Sequence, residues 1–373
     1  MKVIVSGGGT GGHIYPAVTI ARAIETQLQQ AGRSCEILYI GTKEGMEARI
    51  IPREGFRFEA VQVSGIKRSF SPQNIKTILK LGVGFLQAIG KINSFKPDIV
   101  VGTGGFVCGP ILLAAALMGV PTIIQEQNAL PGITNKILSR FVKKVCLGYR
   151  EAAKYFPAAA KTKMEFTGNP IRKDILTRKR ASAYDDLGLP EDKRTVLVVG
   201  GSRGARSINS AMLEVYKFFA GREGIQILHA TGDGDFQRML KGLNELQVTD
   251  KSNIIVRPYL FNMQSAIAIA DVAVFRAGAV GLAELSAVGV PAILIPYPYA
   301  AENHQEFNAR ALEKNGAAIV ILDNELTGAL LIEKLNELLG DEQRLSVMAR
   351  QSAACGVTDA AERIATIAIE CAR

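Results

Sequence analysis

Short runs of Val, Ile and Leu alternate along this chain with longer stretches whose apolar residues recur at helical spacing. The short runs fall at Lys2–Val5, Ile37–Ile40, Asp98–Val101, Thr122–Ile124 and Lys144–Leu147. They resume at Val196–Val199, Ile225–His229, Asn253–Val256, Val272–Phe275 and Ala292–Ile295. Continuous apolar runs bounded by turn residues are the pattern of strands buried on both faces of a parallel sheet. Asn74–Phe95 carries Ile75, Ile78, Leu79, Phe85, Leu86, Ile89 and Ile92 at mostly helical spacing, and Thr358–Arg373 is a further helix able to close either half of the chain. The alternation predicts an α/β protein with parallel sheets and helices on both faces of each. Ligands of such sheets collect at the carboxyl ends of the strands.

The pattern occurs twice. Lys2–Pro16 reads as a strand running into five glycines interrupted by Thr10, then His13 and Pro16, a proline able to open a helix. Val196–Ala205 repeats it as strand, Gly200 and Gly201, Ser202, then Gly204 before a helical stretch. Two similar halves are expected, with the boundary near Phe166–Asp174, and Arg178–Asp192 as a surface loop or helix of the second half.

Composition narrows the class. A 373-residue chain with 48% hydrophobic and 21% charged residues suits two globular domains. Lys and Arg outnumber Asp and Glu by 44 to 35, which points to an anionic partner: nucleotide, phospholipid or nucleic acid. The five cysteines are scattered without CxxC spacing, so neither a disulfide framework nor a zinc site is expected. A strand stands where a signal peptide would, and no apolar run is long and clean enough to span a bilayer.

The chemistry gathers at the glycines. Gly7–Gly12 lets backbone N–H groups approach a phosphate or sugar, and the following helix adds about half a positive charge. His13 stands at the rim, placed to handle a proton. Gly7, Gly9 and Gly12 also fit the dinucleotide fingerprint, but the second strand ends Tyr39-Ile40-Gly41-Thr42 without the acidic residue an NAD site wants. A second loop, Gly102-Thr-Gly-Gly-Phe106, reads either as another wall of backbone amides or as a packing turn. In the second half, Gly278 and Gly281 precede Glu284, a carboxylate able to accept two ribose hydroxyls, and Pro296–Gln305 follows the next strand. Asp233-Gly-Asp235 has the spacing of a divalent-metal motif but sits in a turn that favours aspartate anyway, so no metal site is assigned. Between Ala60 and Pro97 there are basic but no acidic residues. A basic flank beside an apolar helix suits either an anionic membrane, at about 1 kcal/mol per basic residue, or an ordinary core helix with a solvated loop.

In order along the chain, Gly8-Gly-Thr-Gly-Gly-His13 with Pro16, Gly102-Thr-Gly-Gly-Phe106, Gln125-Glu-Gln-Asn128, Gly168-Asn-Pro-Ile-Arg172, Gly200-Gly-Ser-Arg-Gly-Ala205, Ala277–Glu284 and Asn303-His-Gln305 resemble the motifs of the MurG-type glycosyltransferases. These N-acetylglucosaminyltransferases convert lipid I to lipid II in peptidoglycan synthesis. The resemblance implies a GT-B fold, two facing Rossmann-like domains with a cleft between them. Residues 1–167 would form an acceptor and membrane-associating domain, on which 358–373 packs back, and residues 168–357 a UDP-sugar domain. It implies inverting transfer from UDP-N-acetylglucosamine to the 4-hydroxyl of the muramoyl sugar on undecaprenyl diphosphate, without metal, cofactor or nucleic acid.

Carried onto matching positions, Ser202 and Arg172 would hold the diphosphate and Leu260 would meet uracil through its backbone. Ala279, Val280, Gly281, Leu282, Ala283 and Glu284 would line the nucleotide, with Glu284 on the ribose, while His304 and Gln305 read the sugar. Thr10, Gly11, Gly12 and Asn128 would complete the donor contacts, and Gly104, Gly105, Glu126 and Asn135 would meet the acceptor. His13 would be the base, or a cation on the acceptor diphosphate. His304 departs from the glutamine of some members, and Glu306 makes that edge more acidic. The segment around 66–93 would meet the cytoplasmic face of the bacterial cell membrane. Rival readings are a GT-B transferase acting on diacylglycerol, a nicotinamide-dependent oxidoreductase and a catalytically silent scaffold.

Overall fold

The computed structural model describes residues 1–64, 73–248 and 253–372, with backbone alone for 73–80. The chain folds as two units: Met1–Ile171 with Thr358–Arg373, and Arg172–Val357.

Unit 1 runs β1 (Lys2–Ser6), α1 (Gly11–Gln30), β2 (Glu36–Thr42), α2 (Glu47–Arg53), β3 (Arg57–Val61), α3 (Gln73–Phe95), β4 (Ile99–Gly102), α4 (Cys108–Leu117), β5 (Thr122–Glu126), α5 (Ile133–Leu138), β6 (Lys144–Leu147) and β7 (Met164–Phe166). The seven strands pair in parallel in the order β3-β2-β1-β4-β5-β6-β7, with Val3 opposite Ile37 on one side and Ile99 on the other. Successive side chains point to opposite faces. Val3 and Val5 therefore pack with Ile14, Ile20 and Ile24 of α1, while Ile4 packs with Ile92, Ile111 and Leu112 of α3 and α4. Each such fully buried aliphatic contributes about 1.5–3 kcal/mol.

Unit 2 runs α6 (Lys173–Thr177), α7 (Arg180–Leu187), β8 (Arg194–Val199), α8 (Arg206–Phe219), β9 (Ile225–Ala230), α9 (Phe236–Glu245), β10 (Ile254–Arg257), α10 (Met263–Ile269), β11 (Ala270–Phe275), α11 (Ala279–Val288), β12 (Ala292–Leu294), α12 (His304–Lys314), β13 (Ala318–Val320), α13 (Gly328–Gly340) and α14 (Glu342–Cys355). Its six strands are also parallel, in the order β10-β9-β8-β11-β12-β13. In each sheet the order reverses beside the first strand, at β1/β4 and β8/β11. These are the switch points where helices leave on opposite faces and open a crevice. The last helix, α15 (Ala360–Cys371), belongs to unit 1, where Ile364, Ile367 and Ala368 join the α1 cluster.

Three strands went unpredicted: β3, β7 and β13, each at the edge of its sheet. Edge strands are short and mixed in polarity, so Arg57-Phe-Glu-Ala-Val61 and Met164-Glu-Phe166 lack an apolar run. Pro16 does not open α1, as the sequence suggested. The helix starts at Gly11, and Pro16 lies inside it, depriving the Gly12 carbonyl of its i+4 donor. In the expected membrane segment, residues 66–72 and the side chains of 73–80 lie outside the described residues. Within its described part, Lys91 is committed to Glu59 at 2.7 Å.

Candidate active site

In unit 1 the predicted residues gather at the carboxyl ends of β1, β4 and β5. The loop after β1 and the loop after β4 are laced together by Thr103 N donating to the Ser6 carbonyl at 2.9 Å and Gly8 N to the Gly104 carbonyl at 3.4 Å. Gly105, at φ 82°, has no room for a Cβ, which would strike the Gly8 carbonyl. Gly104, at φ 104°, leaves space taken by His13, whose ring lies 3.1 Å from where a Cβ would stand. Beneath the first loop sits Glu47, wholly buried. It accepts from Thr42 N at 3.0 Å, Thr42 Oγ1 at 2.6 Å and Gly9 N at 3.3 Å. The Tyr39 hydroxyl donates to the Gly7 carbonyl at 2.5 Å. Thr10 is the N-cap residue of α1 but its hydroxyl makes no capping bond, and Thr10 and Gly12 are exposed.

His13 is half-buried and held by Nδ1, which lies 3.0 Å from the Thr103 carbonyl and 2.9 Å from Gln127 Oε1. Its own carbonyl accepts from Thr103 Oγ1 at 2.7 Å. Glu126 is buried and fully engaged: it accepts from Asn128 N and Nδ2, Gly132 N and Asn135 Nδ2 at 2.9–3.2 Å. Its carboxylate thereby shapes the loop that carries Asn128. Asn135 Oδ1 is buried with no hydrogen-bond partner among the described residues, and Asn135 Nδ2 lies 3.4 Å from the Cβ position of Gly104. Burial lifts the Cys108 thiol nearby to about 11, so it is no nucleophile.

In unit 2 the predicted residues lie at the carboxyl ends of β8, β10, β11 and β12, with Arg172 at the start of the unit. Ser202 and Arg203 are exposed on the loop before α8. Gly204, at φ 75°, packs so tightly that a Cβ would meet the Thr231 carbonyl. Glu284 is buried in α11 and pairs with Arg172 Nε at 3.3 Å. Burial raises its carboxyl above the usual glutamate range, and Arg172 offsets part of that rise. Leu282 is wholly buried, so its side chain serves the core, as does that of Leu260.

Beside exposed Phe261, Tyr259 makes an edge-on pair with ring centroids 5.0 Å apart. Gln305 Oε1 accepts from Tyr297 N at 2.9 Å, which fixes the oxygen end of its side-chain amide. His304 Nδ1 lies 2.7 Å from the Ala301 carbonyl. Two consecutive non-glycine residues, Glu302 and Asn303, are left-handed immediately before α12 (φ 56° and 59°). Asp235 is taken by Arg238, which donates from Nε and Nη2 at 2.6 Å, and by Asn209 Nδ2 at 2.7 Å. Among the described residues no group of three or more His, Cys, Asp or Glu is placed to hold a metal.

Sequence reasoning missed Glu47, Thr103, Gln125, Gln127 and Asn169. Thr103, Gln125, Gln127 and Asn169 stand inside the quoted motifs but are uncharged, and Glu47 opens α2 outside every motif, so a search for titratable groups among glycines singles out none of them. Arg276 was missed likewise. Its guanidinium contacts Asp323 at 2.5 Å, the carbonyls of Ile295 and Pro296, and Ser207 Oγ, tying the ends of β11 and β12 to α8.

A family model for the glycosyltransferase family 28 N-terminal domain matches residues 3–147, and one for the C-terminal domain matches 195–364. A relative in Desulfitobacterium hafniense strain Y51 is 49% identical over 373 residues, covering all of both chains, and one in Halothermothrix orenii is 48% identical over 95% of each. Both are named UDP-N-acetylglucosamine–N-acetylmuramyl-(pentapeptide) pyrophosphoryl-undecaprenol N-acetylglucosamine transferase. Among solved structures, MurG of Acinetobacter baumannii matches with a TM-score of 0.78 and 29% identity over 99% of both chains. A UDP-GlcNAc 2-epimerase of Neisseria meningitidis bound to UDP-GlcNAc shares the fold at a TM-score of 0.69 and 14% identity, covering 99% of this chain and all of its own.

Two parallel α/β sheets, with glycine loops at both switch points, define the GT-B class of fold. Within that class, the chain belongs to glycosyltransferase family 28, among its MurG-type N-acetylglucosaminyltransferases.

Proposed function

We propose that this protein transfers N-acetylglucosamine from UDP-N-acetylglucosamine to the C4 hydroxyl of the muramoyl sugar of lipid I, forming lipid II. The observation that carries this reading is the 49% identity to a relative of that named activity over the whole of both chains. Unit 2 takes the donor. Ser202 and the loop amides, with the α8 N-terminus and Arg172, receive the diphosphate, whose leaving charge needs donors in the absence of a metal. Glu284 accepts the ribose hydroxyls, the Leu260 backbone meets uracil, Ala279–Glu284 lines the nucleotide, and His304 and Gln305 read the sugar.

Unit 1 supplies the acceptor chemistry. Gly104, Gly105 and Asn135 meet the acceptor, with Glu126 shaping that loop. His13 takes the proton of the 4-hydroxyl as its oxygen forms the new bond to C1 and the bond from C1 to the diphosphate breaks, releasing UDP with inversion. A general base of this kind contributes about 10²–10⁴-fold. The protein works at the cytoplasmic face of the membrane. Among the described residues no helix is long and apolar enough to cross it. Exposed Val83, Leu86, Leu117, Ile133, Ile137 and Phe141, on or beside α3, α4 and α5, form its apolar contribution to that contact.

Calorimetry with UDP, UDP-N-acetylglucosamine and NADH, on the wild type and His13→Ala, tests the donor and the base together. The expected result is that both proteins bind the uridine ligands and neither binds NADH, while His13→Ala loses turnover by about 10²-fold or more. Near-normal turnover in His13→Ala would remove the base assignment, and NADH binding would return the oxidoreductase reading.

A further inference from the structure

Three buried side-chain amides lie in series behind His13. Asn169 Nδ2 lies 2.9 Å from the backbone carbonyl of Gln127, Gln125 Nε2 lies 2.9 Å from Asn169 Oδ1, Gln127 Nε2 contacts Gln125 Oε1, and His13 Nδ1 lies 2.9 Å from Gln127 Oε1. All three amides are nearly inaccessible to water. Gly148 makes the room, since a Cβ there would overlap the Asn169 amide.

The polarity of this chain is fixed at its far end. A backbone carbonyl only accepts, so Asn169 must present its NH₂ to Gln127 O. Its oxygen then faces Gln125, which must donate; the Gln125 oxygen in turn faces Gln127, which must donate. The remaining Gln127 atom, facing His13, is therefore the oxygen. A second constraint agrees, because Gln127 Nε2 is also 2.7 Å from the Thr103 carbonyl, which only accepts. His13 Nδ1 thus meets two acceptors, the Gln127 oxygen and the Thr103 carbonyl. A lone pair on Nδ1 would be repelled by both.

We propose that the Asn169–Gln125–Gln127 relay is a positioning device that fixes His13 as the Nδ1–H tautomer and so presents Nε2, with its lone pair, as the base. The relay settles which nitrogen holds the proton, and when Nε2 takes the acceptor proton the same two oxygens stabilise the imidazolium through Nδ1–H. Its catalytic consequence rests on His13 being the base, but the tautomer itself is measurable without turnover.

The chain has three histidines, so ¹⁵N-histidine labelling gives three ring systems, assigned by His13→Ala and His304→Ala. Long-range ¹H–¹⁵N spectra of the wild-type protein at mildly alkaline pH are expected to show His13 protonated at Nδ1 and bare at Nε2. In Gln127→Met the Nε2–H form should grow in, and kcat should fall about tenfold or more with KM for UDP-N-acetylglucosamine unchanged, a part of what a base supplies. Asn169→Leu, which leaves Gln127 still oriented by its bond to the Thr103 carbonyl, should retain the tautomer and turn over faster than Gln127→Met. An Nε2–H tautomer in the wild type overturns the relay, as does equal loss in both variants with no change of tautomer. If Gln127→Met does not fold, the wild-type spectrum decides alone. An Nδ1–H spectrum with an active His13→Ala would leave the relay standing and remove only the base assignment.

Discussion

Glu284 is a carboxylate held against its preference for water. Burial raises its folded pKa above the unfolded value, with Arg172 offsetting part of the rise. A raised acid favours the folded state when protonated, so its contribution is present below the unfolded pKa and is lost as pH rises through the folded pKa. Glu284→Gln, which does not titrate, should therefore gain stability relative to wild type as pH rises through that window, read as a growing difference in Tm. Binding should run the other way. In the proposed role the ionised form accepts the ribose hydroxyls, so wild-type affinity for UDP should fall as pH drops through the same window, and Glu284→Gln should bind weakly without that limb. Glu284 and His13 were legible in the sequence because each is a titratable residue set among glycines. Gln127 and Asn169 were not, because their part depends on hydrogen-bond polarity across residues from β5 and the loop after β7.

At the scale of elements, the glycine loops carry the design. Gly105 has a positive φ and a backbone carbonyl where its Cβ would go, whereas Gly32, also at positive φ, faces open space. Gly105→Ala should destabilise the protein by more than the ~1–3 kcal/mol that backbone strain alone costs, while Gly32→Ala should stay within it. Comparing urea midpoints checks this, and equal midpoints would show that the loops are not packed against each other as described. The central strands were readable because each is dominated by apolar residues, and the helix carrying Glu284 starts at Ala279, directly after Gly278. The edge strands β3 and β7 were unreadable because they are mixed in polarity and β13 because it is only three residues long, whereas β10, also at an edge, was read from its Ile-Ile-Val run. Pro16 misled because its tolerance in a first turn says nothing about a helix that begins five residues earlier.

For the molecule as a whole, the repeated order of both sheets explains why one chain carries two phosphate-type loops. The residue pattern left open which half the last helix would close, while the family resemblance implied the first; the packing of Ile364 and Ile367 with α1 is a tertiary contact that no local pattern records. The exposed apolar residues of α3 to α5 lead to a prediction of vesicle binding. Cosedimentation with anionic vesicles should fall in high salt and in Leu86→Glu with Leu117→Glu, while transfer to a soluble acceptor persists. Unchanged sedimentation would place the membrane contact elsewhere. The central claim is the reaction itself. Purified protein would be incubated with labelled UDP-N-acetylglucosamine and a lipid I analogue in the presence of EDTA, and the label followed into the lipid fraction. The account predicts transfer, with UDP released in equal amount and a product of inverted configuration at C1. UDP binding without transfer to that acceptor, or transfer that EDTA abolishes, would contradict it.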